Sequence, residues 1–178
     1  MAHYKLIFTG PVGAGKTTAI STLSDVPIVS TEARASDHVA ERKPRTTVAM
    51  DYGLLRLDGN ERVHLYGTPG QERFDFMWDI LTEGGLGLIL LLDNTRPDPF
   101  EDLRHFVEAF RDFIKETHLA VGVTRMDEAP LPGLDSYNEH LSKLGFAAPI
   151  FEVDARSRRD VAILVQSLLY MLDPGARG

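Results

Sequence analysis

Residues 10–17 read Gly10-Pro11-Val12-Gly13-Ala14-Gly15-Lys16-Thr17, a complete G-x-x-x-x-G-K-[ST] phosphate-binding loop. An apolar run at 4–9 precedes the loop and predicts a buried strand, and residues 17–23 predict the first turns of a helix. This strand–loop–helix context is what the motif requires. Its glycines let backbone N–H groups converge on phosphate oxygens, and the helix N-terminus adds a partial positive charge. The stretch therefore predicts nucleotide binding rather than a chance glycine-rich turn.

The loop also indicates its own binding residues. Lys16 is expected to neutralise β- and γ-phosphate oxygens, and the Thr17 hydroxyl to bind Mg²⁺. The full set predicted to contact the nucleotide phosphates is Gly10, Val12, Gly13, Ala14, Gly15, Lys16, Thr17 and Thr18.

Composition limits the remaining possibilities. A length of 178 residues predicts one domain spanning 1–178. The net charge of −7 and the lack of long basic stretches argue against nucleic-acid binding. The chain has no cysteine and opens with Met-Ala, so we expect no zinc–thiolate site and no direct lipid anchor. With no signal peptide or membrane-spanning run, a cytoplasmic location is predicted.

Strand-like and helix-like segments alternate along the chain, which predicts an α/β fold with a largely parallel sheet. Two extended runs, 47–57 and 61–66, flank an Asp-Gly turn and predict an antiparallel hairpin. The polar stretch 24–45 is predicted to be a loop. Further strands are predicted at 86–92, 119–123 and 146–153, and helices from Leu103 to Ile114 and from Val161 to Leu172.

A second motif narrows the class of nucleotide-binding protein. Residues 66–74, Tyr-Gly-Thr-Pro-Gly-Gln-Glu-Arg-Phe, resemble the Asp-x-x-Gly-Gln-Glu-Arg-Phe switch of Ras- and Rab-like small GTPases. Residues 47–52 look like the first switch of that family running into a strand. The Gly-Thr-Pro-Gly-Gln form is similar to that of bacterial Ras-like GTPases of the gliding-motility and conservon type.

The resemblance implies a fold and an activity. The fold would be a P-loop NTPase fold, a Ras-like G domain whose mostly parallel six-stranded sheet has one antiparallel edge pair and helices on both faces. The activity would be that of a molecular switch that binds GTP or GDP with Mg²⁺ and hydrolyses GTP.

Family roles carry over onto matching residues. Gly70 would bring its backbone N–H to the γ-phosphate, and Gln71 would orient the attacking water. Thr47 matches the switch threonine that closes on Mg²⁺, with the adjacent Thr46 as the alternative. Arg45 is either an arginine finger in cis or a solvated loop side chain.

The base-reading segment is a variant of the family motif. Residues 124–127 read Thr-Arg-Met-Asp where the family has Asn-Lys-x-Asp. The carboxylate of Asp127 would accept hydrogen bonds from guanine N1–H and N2–H₂. Arg125 replaces a lysine that packs along the base, and Thr124 replaces the asparagine. Asp154, Ala155 and Arg156 resemble the family Ser-Ala-Lys loop, whose backbone N–H meets guanine O6.

Two departures bear on metal binding and catalysis. Gly67 stands where the family has the aspartate that supports Mg²⁺ through water, and a substitute could come from Thr68, Asp51 or Asp93. Val12 stands where Ras has glycine, and its branched side chain would crowd an arginine finger or Gln71. We therefore expect slow intrinsic hydrolysis, within about 10⁻³ to 10⁻² s⁻¹.

The segment after the Gly-Gln pair predicts a partner surface. Four large apolar residues in positions 74–78 exceed what one helix face can bury, and we expect Trp78 among the exposed ones. An effector and a roadblock-type activator are expected to bind the switch loops at Thr47, Phe74 and Trp78. Two alternatives stay open. One is a nucleotide-binding scaffold with negligible hydrolysis, and the other is a P-loop small-molecule kinase, although the arginine-rich lid of such kinases is missing.

Overall fold

The centre of the sheet is built from the most apolar segments of the chain. The structure, a computed structural model, describes residues 2–35, 46–68 and 75–172, and the side chains of 30–35, 46–49, 75–77 and 79 lie outside that description. The strands in the described part are β1 (His3–Thr9), β2 (Val29–Ala35), β3 (Thr46–Arg56), β4 (Arg62–Gly67), β5 (Gly87–Asp93), β6 (Leu119–Thr124) and β7 (Ile150–Glu152).

The helices connect these strands and cover both faces of the sheet. They are α1 (Lys16–Leu23), α2 (Asp75–Thr82), α3 (Pro99–Ala109), α4 (Arg111–Glu116), α5 (Leu134–Lys143) and α6 (Arg158–Leu172). Within the described ranges, none of the helices is long and apolar enough to cross a membrane.

The strand order is β2-β3-β4-β1-β5-β6-β7. β1 pairs in parallel with β4 and β5, and β6 pairs in parallel with β5 and β7. β3 pairs antiparallel with β4 around the turn at 58–60, which confirms the predicted hairpin. The α/β fold class is therefore confirmed.

The sheet separates two hydrophobic clusters, as a parallel sheet buried on both faces requires. All seven residues of β5 are buried. Side chains of α1 and α6, such as Ile20 and Leu164, pack on one face. Side chains of α3 and α5, such as Phe106 and Tyr137, pack on the other.

Three details differ from the sequence prediction. Within the described residues the sheet has seven strands rather than six, because 29–35 forms β2 inside the stretch predicted to be a loop. β3 is long enough to pair with β4 over 51–56 and with β2 over 46–52, so two antiparallel pairs replace the expected one. The helix predicted from Leu103 to Ile114 is interrupted at Phe110, a buried residue that ends α3 and precedes α4.

The parallel strands end at one common edge. Phe8 lies beside Gly67 in the β1–β4 register, and Asp93 lies beside Thr124 in the β5–β6 register. The loops after β1, β5, β6 and β7 therefore gather there, which is where open α/β sheets bind ligands.

Candidate functional site

The phosphate-binding loop lies between β1 and α1, as predicted. Gly10, Gly13 and Gly15 all adopt positive φ, which L side chains rarely do. A β-carbon at Gly10 would lie 2.1 Å from the carbonyl oxygen of Leu91, so the loop passes β5 too closely for any side chain there. Gly15, in the left-handed conformation, is the N-cap of α1, so the N-terminus of that helix follows the loop directly, as in phosphate-binding sites.

Lys16 extends back along this loop. Its Nζ donates to the carbonyl oxygens of Gly10 at 2.5 Å and Pro11 at 2.9 Å. Burial lowers the pKa of Lys16 to about 8, and the negative charge of Asp51 opposes part of that shift. A phosphate group beside the ammonium would favour its charged form.

Asp51 provides the carboxylate that position 67 lacks. The Thr17 hydroxyl donates a hydrogen bond to Oδ2 of Asp51. Asp51 is paired with Gly67 across the β3–β4 ladder. A β-carbon built on Gly67 would lie 3.6 Å from the same Oδ2, so the Asp51 carboxylate borders the space a side chain at 67 would enter. Of the three candidates named from the sequence, Asp51 is the one that contacts Thr17.

The other two candidates are engaged elsewhere. The Thr68 hydroxyl donates to Thr9 Oγ1 at 2.7 Å, and both residues are buried. Asp93 accepts hydrogen bonds at Oδ1 from the backbone N–H and the hydroxyl of Thr95, at 2.9 and 2.6 Å. Its Oδ2 accepts from Nη1 of Arg125 at 2.6 Å.

A cavity of about 610 Å³ opens beside the phosphate loop. It brings together the end of that loop, the 124–127 segment and the 154–156 segment, which are far apart in sequence. The lining residues are Ala14, Gly15, Thr18, Thr124, Arg125, Met126, Asp127, Glu128, Glu152, Val153, Asp154, Ala155, Arg156 and Asp160. Every base-contacting residue predicted from the sequence is therefore a lining residue of one cavity.

Thr124 joins two of these segments. Its buried hydroxyl is within hydrogen-bonding distance of the carbonyl oxygens of Ala14, at 3.1 Å, and Leu92, at 3.2 Å. A hydroxyl has one proton to donate, and both neighbours are acceptors, so that proton is used inside the protein. Thr124 thus places the start of the 124–127 segment against the phosphate loop and the end of β5.

The loop after β6 is also anchored by the residue that follows β5. Asn94 donates from Nδ2 to the carbonyl oxygens of Ala129 at 2.6 Å and Pro132 at 3.0 Å. The hydroxyl of Tyr137 in α5 donates to Oδ1 of Asn94. Burial raises the pKa of Tyr137, which keeps that donor protonated. The sequence analysis did not identify Asn94 or Tyr137, because their partners are groups of distant segments.

The rim of the cavity is rich in carboxylates. Asp127, Glu128 and Glu152 are lining residues. Asp154, another lining residue, accepts from Arg156, whose guanidinium lowers the pKa of the Asp154 carboxyl. The backbone N–H of Asp154 donates to Oδ2 of Asp160 at 2.9 Å. Ala155 lies against the phosphate loop, because a β-carbon built on Gly15 would lie 3.0 Å from the β-carbon of Ala155.

Trp78 is buried, and the expectation that it is exposed is wrong. Its side chain is 3% exposed. The indole stacks on Phe110 with ring centroids 4.8 Å apart and lies 5.5 Å from the ring of Phe106. The sequence pattern counted apolar residues in α2 but could not show that two phenylalanines near the end of α3 cover one of them. Ile80, at 63% exposed, is a large apolar side chain of α2 that does reach the surface.

Several predicted residues lie outside the described part of the chain. These are Arg45, Gly70, Gln71 and Phe74, together with the side chains of Thr46 and Thr47, whose backbone begins β3. Their roles stay predictions. Val12 is described, and its side chain is 59% exposed on the phosphate loop.

The described residues hold no group of three or more acidic or histidine side chains able to bind a metal by themselves. Mg²⁺ keeps several waters and is commonly bound through one or two protein oxygens plus substrate phosphates. The Thr17 hydroxyl beside the Asp51 carboxylate is an oxygen pair of that kind. The residues present therefore fit a magnesium ion bound together with a nucleotide.

Comparison with known proteins agrees with this architecture. The chain is 32% identical over 98 residues to an uncharacterized protein of Methanocaldococcus jannaschii, covering 55% of this chain and 56% of that protein. It is 27% identical over 126 residues to the Ras-related protein Rab-8A of Gallus gallus, covering 69% of this chain and 53% of that protein. The chain thus spans a little over half the length of these relatives.

The fold is that of a G domain. The structure is similar to the G domain of the T. maritima FeoB iron transporter, with a TM-score of 0.69 and 17% identity, covering 96% of this chain and 99% of that one. A protein-family model described as "Conserved hypothetical ATP binding protein" matches residues 26–131. Because that match covers more than half of the sequence, the chain belongs to the family of conserved hypothetical ATP binding proteins.

Proposed function

We propose that this protein is a small GTPase that binds GTP and GDP with Mg²⁺, hydrolyses GTP slowly and acts as a molecular switch. The observation that carries the proposal is the shared cavity. Its lining joins the phosphate loop to the 124–127 and 154–156 segments, so one side can bind phosphates while the other meets a base. The relationship to Rab-8A supports the same activity.

The phosphate end of the site would work through charge and position. Lys16 and the backbone N–H groups of the loop would bind the β- and γ-phosphates. Gln71 would orient the attacking water, and Arg45 is the candidate for added positive charge in the transition state. Gly70 would sense the γ-phosphate through its backbone N–H and so distinguish GTP from GDP.

Magnesium would be held by Thr17 and Thr47, with Asp51 supporting it through water. When bound, the ion offsets negative charge that develops on the phosphate oxygens. The Asp51 carboxylate accepts from Thr17, and this contact orients the hydroxyl that would bind the ion.

At the base end, Asp127 would select guanine by accepting from N1–H and N2–H₂, donors that adenine does not present in the same pattern. The family's description names ATP, so base selectivity is the decisive property. Thr124 has a hydroxyl in place of the family's side-chain amide, and its one proton goes to the carbonyl oxygen of Ala14 or Leu92, so it is not donated to the base. Ala155 would contribute its backbone N–H.

Slow hydrolysis follows from Val12. Its exposed side chain lies on the loop where an arginine finger or Gln71 would approach the γ-phosphate. The same observation favours a second candidate, a nucleotide-binding scaffold with negligible turnover. Single-turnover measurements separate the two, since a switch returns to the GDP state unaided and a scaffold does not.

The partners are also part of the proposal. An effector and a roadblock-type activator would read the segments around Thr47 and Phe74, whose arrangement would depend on the γ-phosphate. Trp78 is unavailable to a partner because it is buried. Ile80 is the described side chain of α2 best placed to report on such binding, and Ile80→Asp should weaken it.

The test is binding of fluorescent GDP, GTP and ATP analogues to nucleotide-free protein, with and without Mg²⁺. We expect Mg²⁺-dependent binding of the two guanine nucleotides and binding of ATP at least tenfold weaker, about 1.4 kcal/mol. Lys16→Ala should abolish binding, whereas the exposed Lys115→Ala should not. Equal affinity for ATP and GTP would refute the GTPase proposal.

A further inference from the structure

A second cavity, of about 460 Å³, lies at the edge of the sheet opposite the phosphate loop. Its lining comes from the turn at 82–85 and from residues of 109–117, where α3 ends and α4 follows. Both segments precede a parallel strand, β5 or β6, whereas the segments that line the nucleotide cavity follow β1, β6 and β7. The second cavity is therefore separate from the site of the proposed function.

Two adjacent glycines and two phenylalanines shape this cavity. Gly84 has a φ of +75, and a β-carbon built on it would have no heavy atom within 4 Å. A β-carbon built on Gly85 would lie 2.9 Å from Cζ of Phe113, so the ring of Phe113 comes close to the backbone of the turn. Phe110 is buried, and the indole of Trp78 stacks on it. The lining thus includes two aromatic rings that are held in place.

Three helices end at the second cavity. Thr82, Ala109 and Glu116 are the last residues of α2, α3 and α4, and all three are lining residues. The C-terminal end of a helix carries partial negative charge, which a basic side chain in the last turn would offset. Neither α2 nor α3 has a basic residue in its last turn, and Lys115 of α4 is not a lining residue. The backbone therefore makes this cavity negative.

Three carboxylates add to that negative charge. Glu83, Asp112 and Glu116 are exposed lining residues, and the described residues of the lining include no lysine, arginine or histidine. None of the three forms an ion pair with another described residue. The other acidic residues of α3 are Glu101, Asp102 and Glu108, and each of them is paired with an arginine. Along α3 and α4, the acidic side chains without an ion pair are thus those at the cavity.

Two basic side chains lie near these carboxylates but bind other groups. Arg111 donates to both carboxylate oxygens of Glu108 and to the carbonyl oxygen of Leu144. Lys5 donates from Nζ to the backbone carbonyl oxygen of Glu83 at 2.8 Å, not to its carboxylate. The described residues therefore leave the negative charge of the cavity for a cation that comes from another molecule.

We propose that the second cavity binds an arginine side chain of a basic partner protein. A guanidinium is planar, so it can stack on the ring of Phe113 while its N–H groups donate to carboxylates and to carbonyl oxygens at the helix ends. The ammonium of a lysine has no plane to stack, so arginine is the better fit. The net charge of −7 attracts a basic partner and repels a second copy of this chain.

The test uses two peptides that differ in one side chain. Acetyl-Gly-Gly-Arg-Gly-Gly-amide, and the same peptide with lysine in place of arginine, are titrated into the ¹⁵N-labelled full chain, and the backbone amide shifts are followed by NMR. We expect the arginine peptide to shift signals centred on 82–85 and 109–117, with a Kd of about 1 mM or below. The lysine peptide should bind at least about threefold more weakly, because it lacks the stacking contact.

Charge variants test the carboxylates. Asp112→Asn combined with Glu116→Gln should weaken binding of the arginine peptide by up to about fivefold for each charge removed, the upper range of an exposed ion pair. Asp135→Asn combined with Glu139→Gln is the matched control. It removes the same number of charges from exposed positions of α5 and should leave the affinity unchanged.

Two further variants test the ring and the space. Phe113→Leu keeps an apolar side chain but removes the aromatic plane, and it should reduce binding of the arginine peptide to the level of the lysine peptide. Because Phe113 is half-buried, a second variant is placed at the exposed Ala109, which also lines the cavity. Ala109→Arg brings a guanidinium of the chain itself to the cavity and should block the peptide while every native group stays in place.

Four results would overturn the proposal. These are shifts centred on other residues, equal affinity for the two peptides, wild-type affinity in the variant that lacks both Asp112 and Glu116 carboxylates, and tighter binding of spermidine than of the arginine peptide. Self-association is checked by light scattering at the concentration of the titration. A dimer whose formation shifts the same signals would identify a second copy of the chain as the occupant and would also overturn it.

Discussion

Asp51 lies directly opposite Gly67 in the β3–β4 ladder, and its carboxylate accepts a hydrogen bond from the Thr17 hydroxyl. The absence of a side chain at 67 leaves the space that this carboxylate borders. The acidic group expected at the end of β4 is thus present, but it comes from the neighbouring strand.

This relationship predicts that Asp51→Ala weakens Mg²⁺-dependent nucleotide binding by about ten- to hundredfold, the usual effect of removing a residue that orients a metal ligand. Nucleotide binding in EDTA should change far less. The affinities are measured with fluorescent GDP at several Mg²⁺ concentrations. Asp112→Ala, on the surface of α4, is the control, and an Asp51→Ala protein with unchanged Mg²⁺ dependence would contradict the assignment.

A carboxylate moved back to β4 tests the same point. Gly67→Asp alone should destabilise the protein, since its β-carbon would lie 3.0 Å from Cδ1 of Ile20 and its charge would face Asp51. Combining it with Asp51→Ala removes the repulsion and should recover part of the Mg²⁺ dependence. No recovery in a folded double variant would mean that the position of the carboxylate, not its presence, is what matters.

The buried hydrogen bond between Thr68 and Thr9 predicts a non-additive pair. Thr68→Val leaves the buried Thr9 oxygen without its donor and should cost about 1–3 kcal/mol of unfolding free energy. The double variant with Thr9→Val removes both polar groups and should cost less than the sum of the single changes. Urea denaturation gives the free energy of unfolding of the wild type, the two single variants and the double variant. Strict additivity would show that the two hydroxyls are not coupled.

Two glycines of the phosphate loop should respond very differently to alanine. A β-carbon built on Gly13 would have no heavy atom within 4 Å, so the strain of Gly13→Ala comes from the positive φ alone. We expect this variant to lose about 1–2 kcal/mol of unfolding free energy. At Gly10 the same atom would lie 2.1 Å from a β5 carbonyl oxygen, so the loop or the strand must move. We expect Gly10→Ala to be much less stable by thermal melting, and equal melting temperatures would contradict this geometry.

His64 predicts a pH dependence of stability. The Nδ1 atom of His3 lies 2.9 Å from Nε2 of His64, and the Tyr52 hydroxyl lies 2.8 Å from Nδ1 of His64. Burial, and then the charges of His3 and Arg62, hold the pKa of His64 below 6.5. As the pH is lowered, His64 of the unfolded chain takes up a proton near pH 6.5, whereas His64 of the folded protein does so only at a lower pH. The unfolded state therefore gains protons first, and stability falls as the pH drops through the ordinary histidine range.

The measurement is the urea midpoint between about pH 7.5 and 5, a window that brackets the ordinary histidine pKa. Wild type should lose stability through this range, with at most about 1.4 kcal/mol per pH unit from this group. His64→Asn should show a shallower slope, and His3→Asn an intermediate one because one opposing charge is gone. Identical slopes in all three would rule out His64 as the origin.

Local patterns predicted the framework correctly because their physical causes are local. The phosphate loop, the hairpin around 58–60 and the buried strand at 87–93 each follow from turn chemistry or from a continuous apolar run. The strand at 29–35 was missed because its sequence is polar, and what makes it a strand is the length of β3 beside it. The break at Phe110 was missed because helical spacing continues across it.

The candidate site also has features that local sequence predicts and features that only the packed chain shows. Short contiguous motifs were enough to predict which residues bind phosphate and which segments meet the base. The packed chain was needed to show that Asp51 contacts Thr17 beside the position of Gly67, that Arg125 donates to Asp93, and that Trp78 is buried. Each of these contacts joins residues that are distant in sequence. Such contacts depend on strand register and helix packing, which the whole fold sets and no local pattern records.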